Sequence, residues 1–393
     1  MQSFAELGRV LASQPPRVGV QLAAINRGQG RQDLFAAQVP QVLKRLAETT
    51  RIASITASTA IEGYDVPDQR ARAIVDVDDD SRFRNRNERE FAGYRDAADA
   101  VSRQWALTPL SPATPLILAG MLHKHSTGEP GRITRLPNEI AERDENGVRR
   151  LIFTPVAPEH AEAALRELTA RYNQALDDQA ADPALLVGLY ALDFLAIHPV
   201  ADGNGRLARL LTSHELLRLG YEVPRYISVE QMILDTKWSY YAALEASQRN
   251  WHDSQHDAWP WLTYFTMVLA DAYTQFEHRV NANRTQHGNK ADRVREWALY
   301  EANETFTFQG AVDALPGISA GTIRVGLDEL RKEGRFEVSR GRNATWMRIP
   351  AGDALRHALQ EQTQMPAPAP GSALKQPRPV ASPQPHRFPT REH

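Results

Sequence analysis

The chain has no cysteine among its 393 residues. Disulfides, thiolate-zinc sites and cysteine nucleophiles are therefore excluded. It also lacks an excess of either charge, with 46 Lys and Arg against 48 Asp and Glu and a formal net charge of -2. That excludes a globally basic coat for nucleic acid, though not a local basic face. The longest apolar stretch, Ala184 to Ile197, is interrupted by Asp193 and falls short of the roughly 18–20 residues that span a bilayer. The first twenty residues hold charges and two prolines where a signal peptide needs an apolar run. The expectation is a cytoplasmic protein with no membrane partner. What remains is ordinary for a globular protein, 42% hydrophobic and 24% charged. The length exceeds what one core usually organises, so two or more domains are expected.

The fold class reads as mainly α. Residues 36–63 have only Pro40 and a terminal Gly63 against helix, with apolar residues at helical spacing. A charge-rich connection, Asp76 to Arg86, reads as a solvated loop before a further amphipathic helix through Phe91, Tyr94 and Ala98. Asn146-Gly147 lies between two short segments and predicts a tight hairpin, with Val148 to Phe153 as its return strand. Helices are expected over 158–177, 183–197 and 204–219, the last capped by Gly220, and an aromatic core helix over 259–280. The division is an N-terminal helical region (1–110), a core (111–280), a polar linker (281–290) and a small module (291–350). The last 28 residues, 366–393, include eight prolines and predict an unstructured tail.

The chemistry concentrates in His198-Pro199-Val200-Ala201-Asp202-Gly203-Asn204-Gly205-Arg206-Leu207-Ala208-Arg209. An apolar helix ends before Pro199, and two glycines flank the start of the next. Such a helix start offers unpaired N–H groups that no side chain blocks, which favours phosphate. Asp202 is suited to Mg²⁺, a hard cation that prefers oxygen ligands and substrate phosphates. Arg206 and Arg209, three apart, share a side and can fork onto phosphate oxygens. His198 has the side chain whose ordinary pKa suits proton removal near neutrality. The pairs His123/His125 and His252/His256 lack a matching third ligand for zinc.

This segment resembles the motif of the Fic family, His-Pro-Phe-x-Asp-Gly-Asn-Gly-Arg-x-x-Arg, departing only at Val200. The resemblance implies a helical Fic core with a β-hairpin flap and a protein adenylyltransferase that moves AMP from ATP to a hydroxyl side chain. By it, His198 is the general base and Asp202 binds Mg²⁺. Gly203, Asn204 and Gly205 orient the α-phosphate, while Arg206 holds the outer phosphates. Gly205, where relatives that phosphorylate carry Lys, favours adenylylation. Upstream, Ser58 and Glu62 with Gly63 resemble an inhibitory helix, in which Glu62 pairs with Arg209 and blocks the γ-phosphate. The same glutamate in some relatives helps remove AMP again. The hairpin resembles the flap that holds a target as an added strand, and Tyr241 resembles a tyrosine lying against adenine. UTP or GTP as the donor stays open, as does a homodimer.

The module over 291–350 has the order of a winged helix-turn-helix. Its wing, with Arg340 and Arg342, beside a helix with Arg324 and Arg331, suits DNA phosphates or a protein partner. A DNA-binding regulator with a nucleotide-sensing Fic core is the alternative. The intact His198 and Asp202 weigh against it, because a sensor needs no base.

Overall fold

In this computed structural model the described residues are 2–38, 40–104, 108–126, 131–143, 149–284, 290–303, 305–333, 335–339 and 344–348. The Asn146-Gly147 turn, Arg340, Arg342 and the proline-rich tail lie outside them. The N-terminal region holds α1 (Gln2–Ala5), α2 (Leu7–Ala12), α3 (Pro16–Gln38) and α4 (Pro40–Ile61). Proline opens α3, because its missing N–H is no loss in a first turn and its φ is already helical. The stretch expected to be helical over 36–63 is helical through its described residues to Ile61.

The end of α4 is fixed by Gly63, at φ 85°. The amide of Gly63 donates to the Ala60 carbonyl and that of Tyr64 to Thr59. This pair of bonds is a Schellman motif, and it leaves Glu62 as the last residue of the helical spiral.

Next come α5 (Asp68–Ile74), α6 (Arg86–Gln104) and α7 (Thr114–Leu122), then strands β1 (Ile140–Arg143) and β2 (Arg149–Phe153). The acidic connection before α6 is more engaged than a free loop, since Asp76 pairs with Arg51 at 2.9 Å and Asp80 with His125. The two strands pair antiparallel, Ala141 opposite Leu151 and Arg143 opposite Arg149, with an irregularity after Ile140. This is the expected hairpin.

The centre of the molecule is built by α8 (Pro158–Asp177), α9 (Pro183–Ile197), α10 (Asn204–Arg218), α11 (Val229–Asp235), α12 (Lys237–Gln248) and α13 (Trp259–Arg284). Every residue of α9 from Ala184 to Ile197 is buried. A helix apolar all round has no face to offer water, so it becomes the axis of the bundle, with α8, α10 and α13 packed on it. Its one carboxylate, Asp193, accepts from Ser3 Oγ at 2.6 Å and Trp251 Nε1 at 2.7 Å, which docks α1 onto the axis. Helix α13 continues to Arg284, into the expected linker. Phe276 is buried there against Phe35 and Tyr226, and that packing outweighs the polar composition.

The C-terminal module follows as α14 (Lys290–Glu296) and a wider π-helical turn to Glu301, then β3 (Thr305–Thr307), α15 (Phe308–Ala314), α16 (Ala320–Lys332), β4 (Phe336–Val338) and β5 (Thr345–Arg348). Its sheet order is β3-β5-β4, all antiparallel. Ile323, Leu327 and Leu330 of α16 meet Trp297, Phe336 and Trp346 in a core separate from that of the bundle. Strand β3 escaped the sequence reading because three residues carry no periodicity. Among the described residues, no helix is long and apolar enough to cross a membrane.

Helix α6 crosses the end of α7 at Gly93, where an added Cβ would run into the Leu122 carbonyl oxygen. Gly93→Ala is therefore expected to cost about 1–3 kcal/mol through overpacking, read as a lower urea midpoint at unchanged m-value.

Candidate functional site

The site forms where α9 ends and α10 begins. His198 closes α9 in the left-handed conformation, φ 55° and ψ 56°, a state that costs a non-glycine residue about 1–3 kcal/mol and persists only when its surroundings impose it. The surroundings are visible. Asn138 Nδ2, just before the flap, donates to the His198 and Val200 carbonyls at 3.2 and 3.0 Å. Thr134 N donates to the Pro199 carbonyl at 2.8 Å. His123 Nε2 lies 3.2 Å from the Asp202 carbonyl oxygen. Asn204, from the first turn of α10, accepts from Val200 N at 3.1 Å and donates to Val200 O at 2.6 Å. The side chain expected to orient a phosphate is thus the internal brace of the loop. Val200, the departure from the family motif, is buried in the core.

The loop's shape sets the chemistry of its imidazole. His198 Nδ1 lies 3.2 Å from the Leu195 carbonyl. A carbonyl only accepts, so Nδ1 carries the proton and Nε2 keeps its lone pair. Burial lowers the His198 pKa below 6.5, although the Leu195 hydrogen bond, Glu62 and Asp202 pull the other way. At neutral pH the ring is a neutral acceptor.

Beside it, Gly203 caps α10 at φ 88°, in the left-handed region that glycine enters freely. A carboxylate already lies against the first turn of α10, for a Cβ on Gly205 would collide with Glu62 Oε1. That oxygen also accepts from Arg209 Nη2 at 2.8 Å. Arg209 is held further by Ser58, whose hydroxyl accepts from Nε at 2.8 Å and whose carbonyl accepts from Nη2 at 3.0 Å. Burial works against the Arg209 cation, but Glu62 and the neighbouring tyrosines together more than offset it and its pKa is raised. The structure thus joins Ser58, Glu62 and Arg209 in one cluster.

Arg206 is fully buried. Its Nη1 meets Glu90 at 2.5 Å, its Nη2 lies 3.7 Å from Asp202, and its guanidinium sits over the Tyr64 ring. Burial opposes its charge, yet Glu90 and Asp202 leave its pKa raised. Arg206 Nε and Nη2 and Arg209 Nη1 are buried donors without a hydrogen-bond partner. Buried donors normally find one; Arg206 Nη2 lies beside Gly203 and Arg209 Nη1 beside Gly205, where a bound anion could supply it.

Asp202 is half exposed at that mouth. Among the described residues no three His, Asp or Glu side chains gather as a metal cluster. One carboxylate beside a phosphate cradle fits Mg²⁺, which usually takes one or two protein carboxylates plus phosphate and water oxygens. Tyr241, on α12, lies at the rim with 44% exposure, edge-on to the buried Tyr240. Glu90, Tyr64, Asn138 and Lys237 were not anticipated. They come from distant segments and carry no local spacing that marks them. His123 and His125 serve separately, one on the Asp202 carbonyl and the other between Asp80 and Asp96.

Comparison with known proteins bears on this geometry. A Fic/DOC family model matches residues 109–216. Over 137 residues the chain is 30% identical to protein adenylyltransferase fic-1 of Caenorhabditis briggsae, covering 35% of this chain and 24% of that protein. Over 93 residues it is 36% identical to the protein adenylyltransferase and cysteine protease IbpA of Histophilus somni, covering 23% of this chain and 2% of that one. The chain thus spans about a quarter or less of the length of these curated relatives. A solved Fic family protein from Desulfovibrio desulfuricans superposes with a TM-score of 0.56 at 20% identity, covering 86% of this chain and 98% of that one. This last is a likeness of fold.

The imidazole assignment has its own check. An NMR titration should place the His198 pKa below 6.5, with the proton of the neutral form on Nδ1. Because the pKa is lowered, the neutral form persists from pH 7 down through the ordinary histidine range and is lost only below it.

Proposed function

We propose that this chain, a Fic family protein by its core at residues 109–216, is a protein adenylyltransferase held in check by its own N-terminal helix. The observation that carries this reading is the placement of a neutral imidazole at the foot of a helix start flanked by buried, unpartnered arginine donors. In the proposed reaction the triphosphate lies along the first turn of α10. Amides around Gly203 and Gly205 face the α-phosphate, and Arg206 and Arg209 take the outer phosphates. A target hydroxyl oxygen bonds to the α-phosphorus and its proton passes to His198 Nε2. The bond to the bridging oxygen breaks, pyrophosphate leaves, and AMP stays on the target. Asp202 would hold Mg²⁺, which supplies neutralising charge for the phosphates. The target would add as a strand at the flap, whose Leu151 is exposed, as is Leu136 ahead of it in the chain. Dependence on ATP suits a cytoplasmic setting.

The autoinhibitory part rests on Glu62. Its carboxylate sits over Gly205 and occupies the Arg209 fork. An outer phosphate meeting it loses a cation and gains a like-charged neighbour, two penalties with one source.

The alternative, a DNA-binding regulator, draws on the C-terminal module, which we read as a winged helix. Several of its cations are engaged within the module. Arg324 stacks over Phe308 at 4.6 Å, Arg331 meets Asp328 at 3.3 Å, and Arg295 pairs with Glu333. These contacts hold three of the module's described cations on its own side chains, and the intact His198 and Asp202 favour transfer as the reading.

With α-labelled ATP, His198→Ala should lose at least about 100-fold in label transfer, the usual scale for a general base, at an unchanged far-ultraviolet spectrum. Retained transfer would remove His198 from its role. Glu62→Gly should raise auto-modification about 5- to 150-fold, the range of a coupling of this kind. A rate no higher than that of the unaltered protein would place the brake elsewhere. Salt-dependent, sequence-selective DNA binding with no AMP transfer would favour the regulator.

A further inference from the structure

We infer that Lys237 is a second anchor of the brake, a positioning residue whose ammonium holds the end of α4 so that Glu62 stays on Arg209. The inference rests on the autoinhibited reading above and extends it to a residue outside the 198–209 motif. Lys237 Nζ donates to the Ile61 carbonyl at 2.5 Å. Ile61 is the last residue of α4, and its carbonyl is one of those that a helix leaves without an intrahelical partner. A cation at a helix C-terminus also meets the negative end of the macrodipole. Lys237 supplies both from another element, one residue away from the carboxylate that forms the brake.

The position makes little sense for α12 alone. Lys237 is the first residue of that helix, where the dipole is positive and disfavours a cation. Burial lowers its pKa and Arg209 opposes its charge as well, while Glu62 and Asp65 favour it. A lysine held against its own helix dipole, in a partly buried place beside an arginine, is kept there by what it contacts. Those contacts are the carbonyl of Ile61 and the field of Glu62. Lys237, Tyr240 and Tyr241 are also spaced i, i+3, i+4, so one face of α12 carries the anchor and the tyrosine expected against the nucleotide.

The experiment compares Lys237→Met, which keeps the length and removes the charge, with Lys237→Arg, which keeps a donor at similar reach. Two readouts are used on the full chain. The first is hydrogen exchange at the amides of Gly63 and Tyr64, which close the end of α4 onto Ala60 and Thr59. K237M should exchange there about 5- to 30-fold faster, the scale of a lost charge at a helix end, and K237R should restore slow exchange. Unchanged exchange in K237M, or equal loss of protection in both variants, overturns the proposal. The second readout is auto-modification from ATP. K237M should raise it by a similar factor in the unaltered background and by less than about twofold in the Glu62→Gly background. An equal rise in both backgrounds would mean that Lys237 acts on something other than the brake, which also overturns the inference. If Glu62→Gly alone fails to raise transfer, the brake reading fails, whereas exchange at Gly63 and Tyr64 still decides whether Lys237 holds the helix end.

Discussion

One carboxylate on one guanidinium organises the active region of this protein. Glu62 meets Arg209 over Gly205, at the start of α10, where the chain has removed every side chain that would keep an anion out. A helix start beside two buried arginines attracts negative charge whatever its source. An internal carboxylate is a competitive occupant because it is already tethered to the same molecule. The bonds from Arg209 to Ser58 show how firmly that occupant is seated, since the residue one turn before Glu62 binds the same guanidinium. Helix α4 and helix α10 are thereby joined through their polar groups at the start of α10.

Charge of the opposite kind is managed a few ångströms away. Arg206 has no solvent contact and would be costly to bury alone. Glu90 from α6 meets it, with the Tyr64 ring beneath its face. Two of its nitrogens are nonetheless left without hydrogen-bond partners. Enough of each arginine is paired to fix its place, while Arg206 Nε and Nη2 and Arg209 Nη1 keep donors without hydrogen-bond partners. The loop at 198–203 follows the same logic. Its left-handed histidine is strained, and contacts from Asn138, Thr134, His123 and Asn204 hold the backbone around it. The reward is an imidazole with a fixed tautomer, its lone pair on Nε2.

The C-terminal module has its own small core and sheet, and that core excludes the bundle's residues. Among its described residues, Arg293, Arg295 and Arg331 pair with neighbouring acids and Arg324 lies over an aromatic ring.

Much of this was legible in the sequence. Twelve consecutive residues, His198 to Arg209, fixed the helix break and the glycine-flanked start of α10, because these depend on local backbone geometry. Gly63 and Gly220 marked helix ends for the same reason, since only glycine takes φ near 85° at no cost. The all-apolar stretch 184–197 announced the buried axis. Other features depend on segments meeting across the fold. The extension of α13 to Arg284 was decided by packing. Asn204 turned out to brace the loop because the Val200 backbone lies within its reach. Glu90, Tyr64, Asn138 and Lys237 became part of the site only when α6, the segment after α4, the flap and α12 were brought around α10. The sequence determined which local structures and reactive groups exist. The tertiary structure decided which donors stay unpaired and which carboxylate fills the cradle, because both depend on distances between residues far apart along the chain.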